Sequence, residues 1–286
     1  MDYTTLNNGL KMPTVGLGVF TFSPEDAEQA VEAALSSGYH LIDTANAYVN
    51  ERGTGRGIKN SGVNREDVFV SSKLWPSEYE NEHAINETLE RLGLKYIDLL
   101  FLHQPAGNWQ AGYKLLEEAY RDGKVKTIGI SNFEGKYLDE LLEICEVTPQ
   151  VMQVECHPYF SQTESRQITE SKNIKIMSWY PLGHGDKNLV NEPVFAKLAE
   201  KYHKTSAQII LHWHVQMGFI VIPGSHIPEH IKENIDIFDF TLTDEEMAEI
   251  AKLDKNERYY RGSEEQLTQY AVWRPEYEAK LNASER

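Results

Sequence analysis

The stretch IDLLFLH, residues 97–103, is an apolar run that ends in a histidine. A strand that is apolar at consecutive positions is typical of a parallel sheet, where both faces are buried. Similar short runs recur along the chain, and between them lie segments with the apolar spacing of half-buried helices. These other runs are TVGLG (14–18), HLIDT (40–44), VFVSSK (68–73), KTIGISN (126–132), VMQVE (151–155), IKIMSW (174–179) and FIVIPG (219–224).

The segments between the runs carry helix signals. The first has Ser23 as N-cap, Pro24 at the first helical position and Gly38 as the stop. Further helices are predicted over 81–93, 135–146, 193–205 and 206–218. Eight strand–helix units in roughly 240 residues predict an α/β protein, a (β/α)8 TIM barrel. We expect residues 1–286 to form this one domain.

A doubly wound sheet is the alternative fold. The barrel is favoured because no G-x-G-x-x-G follows the first strand and no G-x-x-x-x-G-K-[ST] occurs. The opening TTLNNGLKMP (4–13) contains an Asn-Gly pair between two short extended pieces. This pattern predicts a β-hairpin, which could close one end of the barrel.

Composition excludes several classes of function. The chain has 286 residues with 28 Lys and Arg against 44 Asp and Glu, a net charge of −16. That charge argues against binding to nucleic acid or to an anionic membrane. Its two cysteines form no C-x-x-C pair, so no zinc ribbon is indicated. A polar N-terminus and the lack of an apolar run of about 18 residues predict a cytoplasmic protein.

Polar residues occur where the apolar runs end, and in a barrel these ends meet at the active site. Asp43, Lys73 and His103 end three runs, and Tyr48 follows five residues after Asp43. Because isolated buried charges are costly, Asp43 and Lys73 are expected to form an ion pair. A lysine near Tyr48 would lower the pKa of its phenol and make it a general acid. The ends of the other runs carry Ser131, Asn132, Gln153, Trp179, Pro223, Gly224 and Ser225.

The chemistry of these residues points to a carbonyl reductase. His103 could orient a carbonyl oxygen by a hydrogen bond, while no serine lies in a G-x-S-x-G motif. A general acid without a nucleophile suits protonation of an oxygen while a cofactor delivers hydride. The pair His212-x-His214 resembles a metal site, but residues two apart on a helix do not face each other. We therefore predict no metal.

The chain resembles the aldo-keto reductase family, in its bacterial, 2,5-diketo-gluconate reductase-like form. The motifs that carry the resemblance span nearly the whole chain: MPTVGLG (12–18), GYHLIDTANAYVNERGTGRGI (38–58), SSKLW (71–75), LGLKYIDLLFLHQP (92–105), IGISNF (128–133), QVECHPY (153–159), SWYPLG (178–183) and IPGSHIPEHIKEN (222–234). The resemblance implies a (β/α)8 barrel that binds extended NADPH and reduces a small carbonyl substrate. Monomers are common among relatives, so a monomer is expected.

The resemblance also assigns roles to residues. Tyr48 would be the general acid, Lys73 and Asp43 would tune it, and His103 would orient the carbonyl. Cofactor contacts fall on Gly18, Asp43, Ser131, Asn132, Gln153, Trp179, Tyr180, Leu182, Gly183, Ile222, Pro223, Gly224, Ser225, His226, His230, Glu233 and Asn234. Substrate contacts fall on Phe20, Tyr48, His103 and Gln104, with Trp273 of the C-terminal tail as a further candidate. From their positions after a strand and in a long strand–helix loop, Trp75 and Trp109 are also expected to line the substrate pocket, with packing in the core or at the rim as the alternative.

Two departures from the family pattern bear on the cofactor. Gly224 stands where many NADPH-dependent members have lysine, and His230 stands where an arginine is usual. Each change removes a charge-assisted bond to phosphate worth about 1.5–3 kcal/mol. NADPH is expected, with NADH or dual use as the alternative. For function, the alternatives are a non-enzymatic nucleotide-binding or structural member and another, metal-dependent barrel enzyme.

Overall fold

Eight parallel strands form one curled sheet whose strand order follows the chain. A computed structural model of the chain describes residues 1–277; the predicted domain's last residues, 278–286, lie outside this part. Each apolar run noted in the sequence contains or overlaps one of these strands. They are β3 (Leu17–Gly18), β4 (Leu41–Asp43), β5 (Phe69–Leu74), β6 (Ile97–Leu102), β7 (Val125–Ser131), β8 (Val151–Glu155), β9 (Lys175–Trp179) and β10 (Ile220–Val221).

The first and last strands meet and close the sheet into a barrel. Val15 bridges Val221 in parallel orientation. The Gly16 amide donates to the Val221 carbonyl at 2.9 Å, and the Val221 amide donates to the Thr14 carbonyl at 2.9 Å. The Gly18 amide donates to Pro223 at 3.2 Å. The predicted (β/α)8 barrel is thus confirmed, and the doubly wound alternative is excluded because the sheet has no open edges at these strands.

The predicted hairpin is also present, with β1 (Tyr3–Thr5) paired antiparallel to β2 (Lys11–Pro13). Its turn side chains reach the amino-terminal ends of the strands: Asn7 donates to the Pro149 carbonyl at 3.0 Å and Asn8 to the Lys126 carbonyl at 3.1 Å. Leu6 and Met12 are buried against residues inside the barrel. The hairpin therefore covers the end opposite to the polar strand ends.

Helices surround the barrel, and each segment predicted as helical contains one. Their bounds are α1 (Pro24–Ser36), α2 (Glu51–Asn60), α3 (Ala84–Leu92), α4 (Trp109–Arg121), α5 (Lys136–Ile144), α6 (Thr163–Ser171), α7 (Lys187–Val190), α8 (Pro193–Tyr202), α9 (Ser206–Gln216), α10 (Pro228–Ile235), α11 (Asp244–Ala251) and α12 (Glu264–Val272). Short 3-10 helices cover Asn46–Tyr48, Arg65–Asp67, Pro76–Glu78 and Gly183–Gly185. Within residues 1–277, no helix is both long and apolar enough to cross a bilayer.

Helix α2 follows Tyr48 directly and is held very close to its neighbours. A Cβ on Gly53 would lie 2.0 Å from the Pro24 carbonyl oxygen, and one on Gly55 would lie 2.1 Å from that of Leu92. At the start of the helix, the buried Glu51 carboxylate accepts from Arg91 Nε at 2.6 Å and from Ser72 Oγ at 2.7 Å. This satisfied ion pair fixes the point where the chain leaves the Tyr48 loop.

Candidate active site

Asp43 and Lys73 form a buried ion pair at the carboxyl ends of β4 and β5. Lys73 Nζ donates to Asp43 Oδ2 at 2.6 Å and to the Thr44 carbonyl at 2.8 Å. The other Asp43 oxygen, Oδ1, accepts from Ser71 Oγ at 2.7 Å and from Gln153 Nε2 at 3.1 Å. Both charges are therefore paired and hydrogen-bonded, the condition under which buried charges are tolerated.

The 3-10 helix Asn46–Tyr48 places Tyr48 above this pair. Lys73 Nζ lies 4.8 Å from the centroid of the Tyr48 ring. Burial raises the pKa of Tyr48, while the charge of Lys73 and its hydrogen bond lower it, and the net result is a pKa above 10.0. Lys73 thus acts on this pKa in the expected direction, but burial outweighs it, because burial disfavours the phenolate more than one lysine favours it. The phenol is protonated at neutral pH and can donate a proton.

His103 follows β6 and lies beside Tyr48 on the same side of the site. Its ring meets the Tyr48 ring edge-on at 5.6 Å and the Trp75 ring at 5.0 Å between centroids. Burial, with the charge of Lys73, lowers the pKa of His103 well below 6.5. The imidazole is thus neutral at pH 7. Two buried nitrogens here, His103 Nδ1 and Trp75 Nε1, have no hydrogen-bond partner among residues 1–277.

A cavity of about 600 Å³ opens at the carboxyl ends of the strands. That volume lies within the range of small-molecule sites. The cavity brings together most of the residues predicted for the site: Gly18, Phe20, Asp43, Tyr48, Trp75, His103, Gln104, Ser131, Asn132, Gln153, Trp179, Tyr180, Leu182, Ile222, Pro223 and Gly224. Lys73 lies behind Asp43 and does not line it.

Ser131, Asn132 and Trp179 form a hydrogen-bonded wall on the side opposite β4. The Trp179 indole N–H donates to Asn132 Oδ1 at 3.1 Å. Asn132 Nδ2 in turn contacts the Ser131 hydroxyl and the His103 carbonyl, each at 3.2 Å. A Cβ on Gly224 would lie 3.0 Å from the Gly18 carbonyl oxygen, so the backbone itself forms the neighbouring surface. An aromatic face with nearby amide and hydroxyl groups fits a nicotinamide and its carboxamide.

The remaining predicted cofactor residues lie beside the cavity and do not line it. Ser225, His226 and His230 are in or before the first turn of α10, and the His226 ring lies 5.6 Å from that of Phe22, which lines the cavity. Glu233 accepts from Thr205 Oγ1 at 2.7 Å, and Asn234 is buried. Gly183 begins the 3-10 turn whose next residues, His184 and Gly185, do line the cavity.

Trp109 is a correction to the predicted substrate contacts. It is the first residue of α4, only 4% exposed, and its ring packs edge-on against Phe133 at 5.5 Å. The cavity wall does not include it. A tryptophan in a long strand–helix connection looks the same in sequence whether it turns outwards or inwards, and here packing with the core decides.

Sequence reasoning predicted only part of the outer cavity wall, because it named Trp75 and Trp273 but neither Tyr260 nor Tyr270. Trp75, Tyr260, Tyr270 and Trp273 form what we call the aromatic roof. Trp75 meets Tyr270 at 4.9 Å and Trp273 at 5.2 Å between ring centroids, and the Tyr260 and Tyr270 hydroxyls lie 3.0 Å apart. Tyr260 and Tyr270 lie in the segment that follows the last strand of the barrel, and the pattern of strands does not predict the position of that segment. Other missed residues are Thr21, Phe22, Ala47, Pro181, His184 and Gly185.

The buried carboxylate of Glu155, at the end of β8, anchors the roof segment. It accepts the backbone amides of Tyr259 at 2.5 Å and Tyr260 at 3.0 Å. His157 contacts the same carboxylate at 2.9 Å. Farther along, Asn46 Nδ2 donates to the Tyr277 hydroxyl at 3.2 Å, while Asn46 Oδ1 accepts from the Trp75 amide at 3.0 Å. The roof is thus tied at both ends to the barrel.

Residues 13–255 match the model of the aldo/keto reductase family. The chain belongs to the aldo-keto reductase family. Among its relatives, glyoxal reductase of Bacillus subtilis is 43% identical over 262 residues, covering 90% of this chain and 94% of the relative. Methylglyoxal reductase of Escherichia coli K12 is 40% identical over 257 residues, covering 88% and 94%. This aldo-keto reductase is therefore an oxidoreductase of the bacterial type.

Solved aldo-keto reductases share the fold. That of Brucella melitensis has a TM-score of 0.85 at 41% identity, covering 88% of this chain and 99% of the other. That of Bombyx mori, solved in complex with NADP, has a TM-score of 0.86 at 32% identity, covering 91% and 95%.

The histidine pair of this aldo-keto reductase has packing roles. His212 Nδ1 contacts the Ile237 carbonyl at 2.7 Å, and His214 contacts the carbonyls of Ile210 at 2.8 Å and Cys156 at 3.1 Å. Across the described residues 1–277, no group of three or more potential ligands could hold a metal ion.

Proposed function

We propose that the protein reduces small aldehydes and ketones to alcohols, with NADPH as hydride donor and Tyr48 as general acid. The observation that carries this proposal is the geometry of the inner wall: the Tyr48 phenol and the neutral His103 imidazole line one cavity over the Lys73–Asp43 pair. The relatives named as glyoxal and methylglyoxal reductases support a small carbonyl substrate.

The wall around Trp179 would hold the cofactor. Ser131, Asn132 and Gln153 offer hydrogen bonds to the nicotinamide carboxamide, and Trp179 offers a face for the ring. Leu182, Gly183 and the residues from Ser225 to Asn234 would hold the phosphates and adenine. Bound there, the reduced nicotinamide supplies the hydride. The preference for NADPH rests on the family and on Ser225, His226, His230 and Lys232, polar or basic residues within the segment 222–234 whose motif resembles the family's.

The inner wall would supply the proton and orient the substrate. The His103 imidazole donates a hydrogen bond to the carbonyl oxygen and so fixes its direction. The Tyr48 O–H transfers its proton to that oxygen as the carbonyl becomes an alkoxide. The phenolate left behind is stabilised by the Lys73 ammonium, whose charge and hydrogen bond lower the pKa of Tyr48. A solvent proton then restores the phenol.

The test is Tyr48→Phe, which removes only the hydroxyl. Oxidation of NADPH and of NADH would be followed with glyoxals, aromatic aldehydes and keto-sugars. We expect kcat to fall roughly 10²–10⁴-fold, the usual contribution of a general acid, with cofactor affinity by tryptophan quenching unchanged. Tyr96→Phe is the matched control, because Tyr96 precedes β6 at the opposite end of the barrel. Cofactor binding without turnover of any carbonyl would instead favour the non-enzymatic alternative.

A further inference from the structure

The backbone is strained at the residue that follows Tyr48. Val49 comes directly after the 3-10 helix Asn46–Tyr48 and lies in the left-handed region, with φ 58° and ψ 27°. A β-branched side chain disfavours this region, whereas glycine adopts it readily. Such a conformation persists only where the surrounding structure holds it. The position of the Tyr48 phenol therefore depends on what fixes the two ends of its loop, residues 46–51.

Asn46 fixes the first end of this loop through both polar atoms of its side chain. Its Oδ1 accepts from the Trp75 backbone amide at 3.0 Å, and its Nδ2 donates to the Tyr277 hydroxyl at 3.2 Å. Asn46 is buried, so water offers little replacement for a lost partner. Burial raises the pKa of Tyr277 and keeps its hydroxyl protonated. Tyr277 thus supplies one of the hydrogen bonds that hold Asn46.

Tyr277 also reaches the other end of the loop. Its ring lies over the guanidinium of Arg91, at 4.1 Å from the ring centroid, and Arg91 Nε donates to the Glu51 carboxylate at 2.6 Å. A cation over a ring face is attracted to it. Asn50 is held independently, by two carbonyls of residues 19–22 at 2.8 and 3.1 Å. The second end therefore has several supports, and the hydroxyl bond to the first end is the contact that depends on Tyr277 alone.

We propose that Tyr277 is a positioning residue for catalysis: its hydroxyl holds Asn46 and so keeps the strained loop in the conformation that directs the Tyr48 phenol at the carbonyl. This rests on the proposed role of Tyr48 as general acid. Without the hydroxyl, the first end of the loop is loosened and Val49 relaxes towards negative φ, which moves the phenol from its place beside Lys73. Tyr277 lies outside the cavity wall, so it acts on the loop and not on the substrate.

The test is Tyr277→Phe, which removes the hydroxyl and keeps the ring over Arg91. We expect kcat/KM to fall about two- to tenfold, the effect of one lost hydrogen bond. The factor should be the same for methylglyoxal and for the larger 4-methylbenzaldehyde, because the loop changes and the substrate pocket does not. NADPH affinity, measured by tryptophan quenching, should stay the same. Tyr202→Phe is the matched control, because the Tyr202 hydroxyl donates to the Thr241 carbonyl at 2.9 Å and lies outside the cavity wall.

Val49→Gly separates positioning from a general loss of stability. Glycine adopts positive φ without strain, so the loop should no longer need the hydroxyl. We expect Tyr277→Phe to change kcat/KM by less than about twofold when Val49→Gly is already present, a coupling that a double-mutant cycle measures. An equal fall in both backgrounds, no fall in the parent, or a fall that differs between the two aldehydes would overturn the proposal.

Hydrogen exchange observes the loop without catalysis, and so separates failure of this proposal from failure of the reductase function. The Tyr48 amide donates to the Ala45 carbonyl and the Val49 amide to the Asn46 carbonyl, each at 3.1 Å. In Tyr277→Phe, we expect a peptide spanning 44–52 to exchange about two- to tenfold faster, and one from the hairpin, 3–13, to stay unchanged. If no aldehyde is turned over, faster exchange still supports the contact while the reductase function fails. Unchanged exchange of the loop overturns the proposal.

Discussion

Tyr48 and His103 share one burial effect that acts on their pKa values in opposite directions. Removal from water disfavours the phenolate of Tyr48 and so raises its pKa, and it disfavours the imidazolium of His103 and so lowers its pKa. Both groups are therefore held in the neutral, hydrogen-donating form. The sequence predicted which residues meet, because His103 ends one apolar run and Tyr48 follows closely after another. The net pKa could not be predicted, since burial depends on every residue packed around the ring.

The pH profile of reduction follows from these directions. Lowering the pH protonates His103 only well below 6.5, and raising it deprotonates Tyr48 only above 10.0. We expect kcat/KM for reduction to be flat between these values. The measurement is kcat/KM against pH for the parent and for His103→Gln. A decline near pH 6.5 in the parent that disappears in His103→Gln would show that the imidazole charges at its ordinary pKa, against this assignment.

Helix α2 shows how contacts between elements override local preference. Glycines at Gly53, Gly55 and Gly57 cost helix propensity, and no specific helix was predicted over this segment. The neighbouring α1 and α3 approach so closely that a side chain at these positions would overlap their backbone or side chains. The helix propensity of one segment contains no information about such contacts with neighbouring helices. The strands were predictable because each run has apolar residues at consecutive positions, as a strand buried on both faces requires.

Gly53→Ala tests this contact. Its new Cβ would lie 2.0 Å from the Pro24 carbonyl oxygen, so α1 or α2 must shift. We expect the free energy of unfolding to fall by about 1–3 kcal/mol or more, the usual cost of overpacking. Lys59→Ala, on an exposed position of the same helix, should change it by about 0.5 kcal/mol at most. Denaturant unfolding measures both, and equal stabilities would contradict the close packing.

The charge of the whole molecule bears most directly on the cofactor. With a net charge of −16 and no Lys or Arg among the described residues that line the cavity, the protein would attract the proposed phosphorylated cofactor only through local groups. The groups available for this are backbone amides and hydroxyls near the start of α10.

The barrel itself was predictable from the eight apolar runs. Tyr260 and Tyr270 of the aromatic roof were not, because their segment lies outside the repeat and is placed by Glu155 and Asn46. Monomeric state, cytoplasmic location and the single-domain boundary stay predictions.

His230→Arg restores one cation to this surface. Since a charge-assisted bond to phosphate is worth about 1.5–3 kcal/mol, we expect NADPH to bind about tenfold more tightly and NADH affinity to stay the same. Tryptophan quenching with each nucleotide measures this, at low and at high salt. His83→Arg makes the same charge change at an exposed residue outside the cavity wall. An equal gain in both variants would mean that only net charge matters.

The seam between β3 and β10 has a consequence during synthesis. The partner of Val15 is Val221, so the first strand leaves the ribosome about 200 residues before the strand that completes it. At about 5–20 residues per second, it waits roughly 10–40 s with unpaired amides and carbonyls. Over that interval the nascent chain presents a strand edge open to pairing with other chains. Chaperone demand should therefore be greatest in translation and drop once residue 221 has emerged.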